Sequence, residues 1–240
     1  MTRKVVIVGG GHNGLVAAAL LAKAGRDVTV LESRTSFGGL AAGATFTEGY
    51  RSAGVLADTS GFRDEVSDAL KLANYGFRRL EARPPISGVA EDGTPIRLRY
   101  DRVEGPFDQA ESERYTRFRV FITRLQKLVR HLTRTYPINP LGAWWPLLSA
   151  GARVRRLGAQ DMTELLRIAP MCVGDWMRDA LGDECLRALV AHPALIGLCA
   201  GPWSPWSATN LLFHECTLSR PVKGGAPALI EALVQVFMEP

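Results

Sequence analysis

The chain has 240 residues, of which 47% are hydrophobic and 22% are charged, and its four cysteines are widely spaced with no C-x-x-C pair. This composition is typical of a globular protein, and it argues against a disulfide framework, a zinc site or a low-complexity chain. No apolar run reaches the roughly 18 residues that span a bilayer, so we expect a cytoplasmic protein with reduced thiols and no bound metal.

The chain opens with a strand, a glycine-rich turn and a helix. The β-branched run from Lys4 to Val8 predicts a parallel strand that is buried on both faces. Gly9, Gly11 and Gly14 follow in the G-x-G-x-x-G spacing. The first glycine permits a tight turn, the second lets the backbone approach a diphosphate, and the third lets the helix over 15–24 lie close to the strand. The free amides at the start of that helix suit a diphosphate.

A second strand, over residues 28–31, ends at an acidic residue. Glu32 follows Gly14 by 18 residues, at the position where a carboxylate can accept both hydroxyls of an adenosine ribose. Its negative charge disfavours a 2′-phosphate, so NADP is the less favoured dinucleotide. Strand, glycines, helix, strand and acid in this order predict a dinucleotide-binding unit, and the alternative is a glycine-rich turn without a ligand.

A second glycine pair, Gly38-Gly39, follows the acid in "ESRTSFGG". Such a pair lets another backbone segment approach the same diphosphate. Here the sequence resembles the FAD-dependent oxidoreductases of the phytoene desaturase and amine oxidase superfamily. Within it, the chain is most similar to the phytoene-dehydrogenase-like branch that includes the pyridine nucleotide-disulphide oxidoreductase domain-containing proteins. The stretches "GGGHNGLVAAALLAKAG" and "VLESRTSFGG" carry most of the resemblance, and "GYRSAG", "LKLANYGF" and "PVKGGAPALIEAL" match more loosely.

The resemblance implies that FAD, rather than NAD, is the cofactor. Together with the glycine pattern it predicts that the cofactor is bound by Gly9, Gly11, His12, Asn13, Gly14, Glu32, Ser33, Arg34, Gly38 and Gly39. We interpret His192 and His214 as structural histidines and assign no catalytic residue.

The predicted fold class is α/β, with a Rossmann-like FAD/NAD(P)-binding βαβ unit whose sheet is incomplete and an inserted, largely helical portion of a substrate domain. We expect the βαβ unit with its glycine pair over residues 1–80, the substrate-domain portion over 81–215, and a helix returning to the FAD domain over 216–240.

Local signals within the inserted portion give three expectations. Asp92-Gly93 predicts a hairpin with a type I′ turn, and Pro95 confines the second strand of this hairpin to a sheet edge. Asp161 with Glu164 suggests a capping box at the start of a helix.

Residues 111–136 form the longest periodic segment, with apolar residues at three- and four-residue steps. Residues 111–160 hold ten of the 29 lysines and arginines and two of the 24 acidic residues. The basic side chains could rest on an anionic membrane, bind nucleic acid phosphates or form a solvated face. No motif supports nucleic acid, so we expect no such partner. Membrane-surface contact through 111–148, which includes Trp144 and Trp145, stays open.

Proteins of the resembled family continue well beyond the length of this chain. The chain is therefore expected to be a fragment, a subunit completed by a second polypeptide, or a reduced protein with another role. The expected function is that of an FAD-dependent dehydrogenase or desaturase acting on a small apolar substrate. A non-catalytic dinucleotide-binding or interaction module and an NAD-dependent dehydrogenase are the alternatives.

Overall fold

The structure is a computed structural model that describes residues 4–134, 151–152, 155–156 and 158–239. The chain divides into two compact units, one formed by Met1–Arg83 with Ser219–Pro240 and the other by Pro84–Leu218. We call them the nucleotide unit and the helical unit.

The strands in chain order are β1 (Lys4–Val8), β2 (Asp27–Leu31), β3 (Ala44–Thr47), β4 (Tyr50–Ser52), β5 (Ile86–Val89), β6 (Pro95–Leu98) and β7 (Val103–Glu104). The α-helices are α1 (His12–Lys23), α2 (Asp64–Leu70), α3 (Gln109–Arg134), α4 (Ala159–Ile168), α5 (Val173–Ala180), α6 (Glu184–Ala191), α7 (Ser207–Thr217) and α8 (Gly225–Met238). Short 3₁₀ helices span Gly39–Ala41, Leu72–Tyr75 and His192–Ala194.

The nucleotide unit begins with a βαβ arrangement. Strands β1 and β2 are parallel and in register from Lys4 opposite Asp27 to Val8 opposite Leu31, and α1 forms the crossover between them. This is the predicted Rossmann-like topology, and it brings the C-terminal ends of both strands to the N-terminus of α1. Helix α8, the predicted return helix, packs against α1, and both contribute to a core whose members include Leu15, Ala19, Leu70, Leu72, Leu229 and Leu233.

The prediction that β1 is buried on both faces was wrong. Burial alternates along both strands, and Val6 and Val8 are 60% and 84% exposed. A Cβ built on Gly14 would lie 3.5 Å from the Ile7 side chain, which shows that helix α1 packs against the sheet face that carries Ile7. No described element covers the opposite face of this two-stranded sheet, so its apolar row, including Leu31, meets solvent.

The helical unit contains a three-stranded antiparallel sheet in the order β5-β6-β7. The predicted hairpin is present, but its turn is not type I′. That turn needs positive φ at both central residues, whereas Gly93 alone of the pair Asp92-Gly93 has it, at 87°. The edge assignment from Pro95 was also wrong, since β6 is the central strand. Pro95 is tolerated because it is the first residue of β6, and β7 pairs with Arg97 and Leu98 at the other end.

Helix α3 packs on α7 and on the helices around it. Its predicted apolar stripe lies in the core of the helical unit, with Tyr115, Phe118, Ile122, Leu125 and Val129 all buried. No helix among the described residues is long and apolar enough to cross a membrane. The part of the proposed membrane segment from 135 to 148, with both of its tryptophans, lies outside the described residues.

The expected capping box at Asp161 was wrong. The residue that caps α4 is Gly158, and it makes no side-chain cap. Asp161 instead lies inside the first turn, buried, with its carboxylate 3.1 Å from Nε of Arg124 on α3. A helix with a true side-chain cap is α6, where Asp183 accepts a hydrogen bond from the Leu186 amide at 2.8 Å.

Candidate cofactor site

The turn between β1 and α1 depends on two of its glycines for its shape. Gly9 has φ of 100°, and its amide donates to the Leu31 carbonyl at 2.7 Å, which fixes the end of β1 beside the end of β2. A Cβ on Gly14 would lie 2.1 Å from the Gly9 carbonyl oxygen, so the helix can approach the strand this closely only with glycine at residue 14. The geometry agrees with the tight turn and close packing expected from the spacing.

Gly11 has a different role. It is the N-cap of α1 with φ of −71°, which any residue can adopt, and a Cβ built there meets no atom within 4 Å. The space beside it is therefore open. The first amides of α1, from His12, Asn13 and Gly14, have no acceptor within the helix by geometry and form a positive end suited to an anion.

Glu32 is placed at the end of β2 with its carboxylate aimed at the same turn. Its Oε2 accepts from the Gly10 amide at 2.7 Å and its Oε1 from the Arg34 amide at 3.0 Å. These backbone donors, the Arg34 amide first and the Gly10 amide second, lower the pKa of Glu32 from its ordinary value and keep it ionised at neutral pH. The Ser33 hydroxyl is a third and longer donor, to Oε1 at 3.4 Å, and since a carboxylate has about four acceptor positions, capacity remains for a ribose hydroxyl.

Gly10 and Phe37 are site residues that the sequence reasoning missed. A Cβ on Gly10 would lie 2.3 Å from Cδ1 of Phe37 and 3.2 Å from Oε2 of Glu32. The Phe37 ring therefore packs against Gly10, whose amide orients the carboxylate of Glu32. The G-x-G-x-x-G pattern allows any residue type at position 10. The unbroken run Gly9-Gly10-Gly11 was the sequence signal that this position also favours glycine.

The glycine pair lies directly on the phosphate turn. The Gly38 amide donates to the Gly10 carbonyl at 2.7 Å, and Gly38 forms a parallel bridge with Gly11. A Cβ on Gly39 would stand 3.3 Å from Cα of Gly11, and Gly38 has φ of 121°. Gly39 also has positive φ, at 56°, and a Cβ on Gly38 would lie 2.7 Å from Cα of Ala42, so both positions favour glycine for conformation and for close packing. Nη1 of Arg34 donates to the Gly39 carbonyl at 3.4 Å and ties this loop to the residues after Glu32.

The structure brings the ten predicted residues into one region of the nucleotide unit. Ser33 lies beside the acid, with its Oγ 3.4 Å from Oε1 of Glu32. His12 and Asn13 line a cavity of about 320 Å³ whose apolar walls include Val16, Leu56, Phe62, Val66 and Leu229. Among the described residues no group of three or more His, Cys, Asp or Glu could hold a metal ion. His214 lies in the helical unit, 3.3 Å from Oε1 of Glu215.

Comparison with known proteins agrees with this geometry. Residues 7–61 match the model of the NAD(P)-binding Rossmann-like domain. The pyridine nucleotide-disulfide oxidoreductase domain-containing protein 2 of Mus musculus is 28% identical over 236 residues, which cover 87% of this chain and 40% of that protein. The chain thus spans about 40% of the length of this curated relative.

Two solved structures cover nearly the whole chain at low identity. Putrescine oxidase bound to putrescine matches with a TM-score of 0.56 and 19% identity over 100% of this chain and 50% of its own. RAB GDI from Plasmodium falciparum matches with a TM-score of 0.53 and 11% identity over 99% of this chain and 57% of its own. The predicted Rossmann-like fold and the resemblance to the pyridine nucleotide-disulfide oxidoreductase domain-containing proteins are confirmed.

Proposed function

We propose that this chain is the FAD-binding part of a flavin-dependent oxidoreductase that removes two hydrogens from a C–C or C–N bond of a small apolar substrate. FAD would supply the hydride acceptor, and the protein would bind and orient it. The observation that carries the proposal is the Gly38-Gly39 pair on the phosphate turn, with its amide bonded to Gly10 and its backbone against Gly11.

The residues present fit a dinucleotide of this kind. Gly11 leaves open space beside the amides of His12 and Asn13, where a diphosphate would be bound. Glu32 is ionised and keeps acceptor capacity for the adenosine ribose beside its bonds from Gly10, Arg34 and Ser33. The loop from Ser33 and Arg34 to the glycine pair would add a second backbone segment along the diphosphate and the chain that leads to the ring. We also propose that the chain belongs to the phytoene-dehydrogenase-like branch of these oxidoreductases.

An NAD-dependent dehydrogenase is favoured by the name of the matching domain model, NAD(P)-binding. An NAD-dependent dehydrogenase does not require a second glycine segment at the phosphate turn. That alternative therefore leaves the close contact of Gly39 with Gly11 unexplained. A non-catalytic dinucleotide-binding module is favoured by the match to RAB GDI, whose name states no redox reaction. The two alternatives differ from the main proposal in which dinucleotide binds and in whether the bound cofactor is reduced by a substrate.

A second polypeptide, or further chain, is proposed as a partner of the nucleotide unit. Val6, Val8 and Leu31 form an exposed apolar row on the sheet, and exposed apolar strands favour association.

Cytoplasmic placement is supported by the four free cysteines, which are all described. Contact with a membrane surface through 111–148 stays a proposal, and nucleic acid is not proposed as a partner.

We expect FAD to bind the purified chain and NAD⁺ to bind it more weakly. Glu32→Ala removes the ribose acceptor and Gly11→Val fills the space beside the diphosphate, so each is expected to abolish FAD binding in a calorimetric titration. Asp27→Ala removes an exposed carboxylate at the other end of β2 and should bind FAD like the unchanged chain. Binding that survives both site changes contradicts the proposal, and tighter binding of NAD⁺ than of FAD supports the dehydrogenase alternative.

A further inference from the structure

A groove of about 970 Å³ lies in the helical unit, remote in the sequence from the glycine turn. One wall is a stripe of α3 at steps of three and four residues, formed by Arg114, Arg117, Phe118, Phe121 and Arg124. The other walls come from α4 and α5. We propose that this groove binds an amphiphilic anion, that is, a carboxylate or phosphate group attached to an apolar body.

The floor of the groove is aromatic. Trp176 and Phe118 are among its lining residues, with ring centroids 5.5 Å apart, and are 3% and 5% exposed. Phe121 is half-buried at the same surface. An apolar body in the groove would contact chiefly Phe121, since the other two rings are almost fully buried, and the volume of the groove is in the range of ordinary small-molecule sites.

The carboxylates that line the groove are already neutralised. Asp161 is paired with Arg124 across α3 and α4 at 3.1 Å. Glu164 and Asp179 are both held at 2.7 Å by the guanidinium of Arg167, which ties α4 to α5. No lining acid is therefore left to repel an anion or to attract a cation at close range.

One guanidinium group on the α3 wall is available, that of Arg117. Among the described residues Arg117 has no ion-pair or hydrogen-bond partner, and its side chain is exposed. Arg114 is 3.7 Å from Glu111, whose carboxylate accepts the Gly182 amide at 2.8 Å. Arg178, on α5, is 3.9 Å from Asp175 and lies over the Trp203 ring at 4.2 Å, so it already has partners. A planar guanidinium binds carboxylate or phosphate with two parallel hydrogen bonds, which suits Arg117 to the charged end of the ligand.

A groove explains the basic face of α3 better than a bilayer does. The apolar side of α3 is packed in the core through Ile122, Leu125 and Val129, so it is not available to enter lipid. The arginines at 114, 117 and 124 stand beside aromatic rings in a concave surface. That arrangement matches a single amphiphilic molecule with one charged end.

The test uses the full chain and calorimetric titration with dodecyl phosphate and with dodecanoate, each below its micelle concentration. We expect both to bind, dodecyltrimethylammonium not to bind, and Arg117→Gln to weaken anion binding about tenfold. Arg97→Gln removes an exposed arginine of β6 outside the groove and is expected to leave binding unchanged.

Three outcomes overturn the proposal. They are equal affinity for the cationic amphiphile, unchanged anion affinity in Arg117→Gln, and binding to vesicles of phosphatidylcholine with phosphatidylglycerol without any binding of the monomeric anions. The last outcome assigns the basic face to a membrane surface. FAD binding is measured separately in the same preparations, so failure here does not affect the proposed function and is not confused with it.

Discussion

Gly14→Ala is expected to destabilise the nucleotide unit by about 3 kcal/mol or more and to abolish its binding of dinucleotides. The new Cβ would lie 2.1 Å from the Gly9 carbonyl oxygen, and this contact is between two backbone-anchored atoms. Gly9 cannot move away cheaply, because its amide is bonded to Leu31 at 2.7 Å and its φ is 100°. Helix α1 would have to separate from β1, and urea unfolding followed by circular dichroism measures the loss.

Gly11→Ala is the matched control for this change. It alters the same glycine motif, but residue 11 has φ of −71° and no atom within 4 Å of the added Cβ. We expect its free energy of unfolding to stay within about 0.5 kcal/mol of the unchanged chain while FAD binding weakens. Equal unfolding midpoints for the two variants would show that residue 14 is not in close contact with the turn.

Glu215→Ala is expected to destabilise the helical unit by about 3–5 kcal/mol. Oε2 of Glu215 is 2.6 Å from Nη1 of Arg119, and the two side chains are each 9% exposed. The change leaves the Arg119 guanidinium buried without its carboxylate, and its position over the Tyr100 ring at 4.2 Å offsets little of that cost. All five tryptophans lie in the range 84–218, so the urea transition seen by tryptophan fluorescence reports on this unit.

Two further variants separate the buried pair from charge effects in general. Asp101→Ala removes a carboxylate from an ion pair with Arg102 whose side chains are 69% and 59% exposed, and it should cost at most about 1 kcal/mol. The double change Arg119→Met with Glu215→Leu replaces both charges by apolar groups and should recover much of the loss. If Glu215→Ala unfolds at the same urea concentration as Asp101→Ala, the ion pair does not stabilise the unit.

The parts of the fold that the sequence predicted are those encoded by nearby residues. The strand, turn and helix around Gly9, Gly11 and Gly14 have local causes, so their order could be predicted, although α1 begins at His12, three residues before the predicted start. The position of Glu32 followed from the length of one βαβ unit. Contacts of high sequence separation could not be predicted in the same way, and the ion pair joining Arg119 to Glu215 spans 96 residues.

The errors arose where a local signal has two outcomes that tertiary structure decides. A proline favours a sheet edge, but Pro95 is also acceptable as the first residue of a central strand. An acid three residues before a glutamate can cap a helix, yet Asp161 is buried to pair with Arg124. At the cofactor site the ring of Phe37 packs over Gly10, 27 residues away along the chain, and no periodic pattern encodes that contact.

The most direct measurement is the visible absorption spectrum of the purified chain after addition of FAD and removal of the excess, with mass spectrometry of what denaturation releases. The proposed site predicts a flavin spectrum and released FAD in the unchanged chain, and neither in Glu32→Ala. A folded chain that stays colourless with FAD, or a Glu32→Ala variant that retains the flavin equally well, would contradict the assignment of this turn as an FAD site.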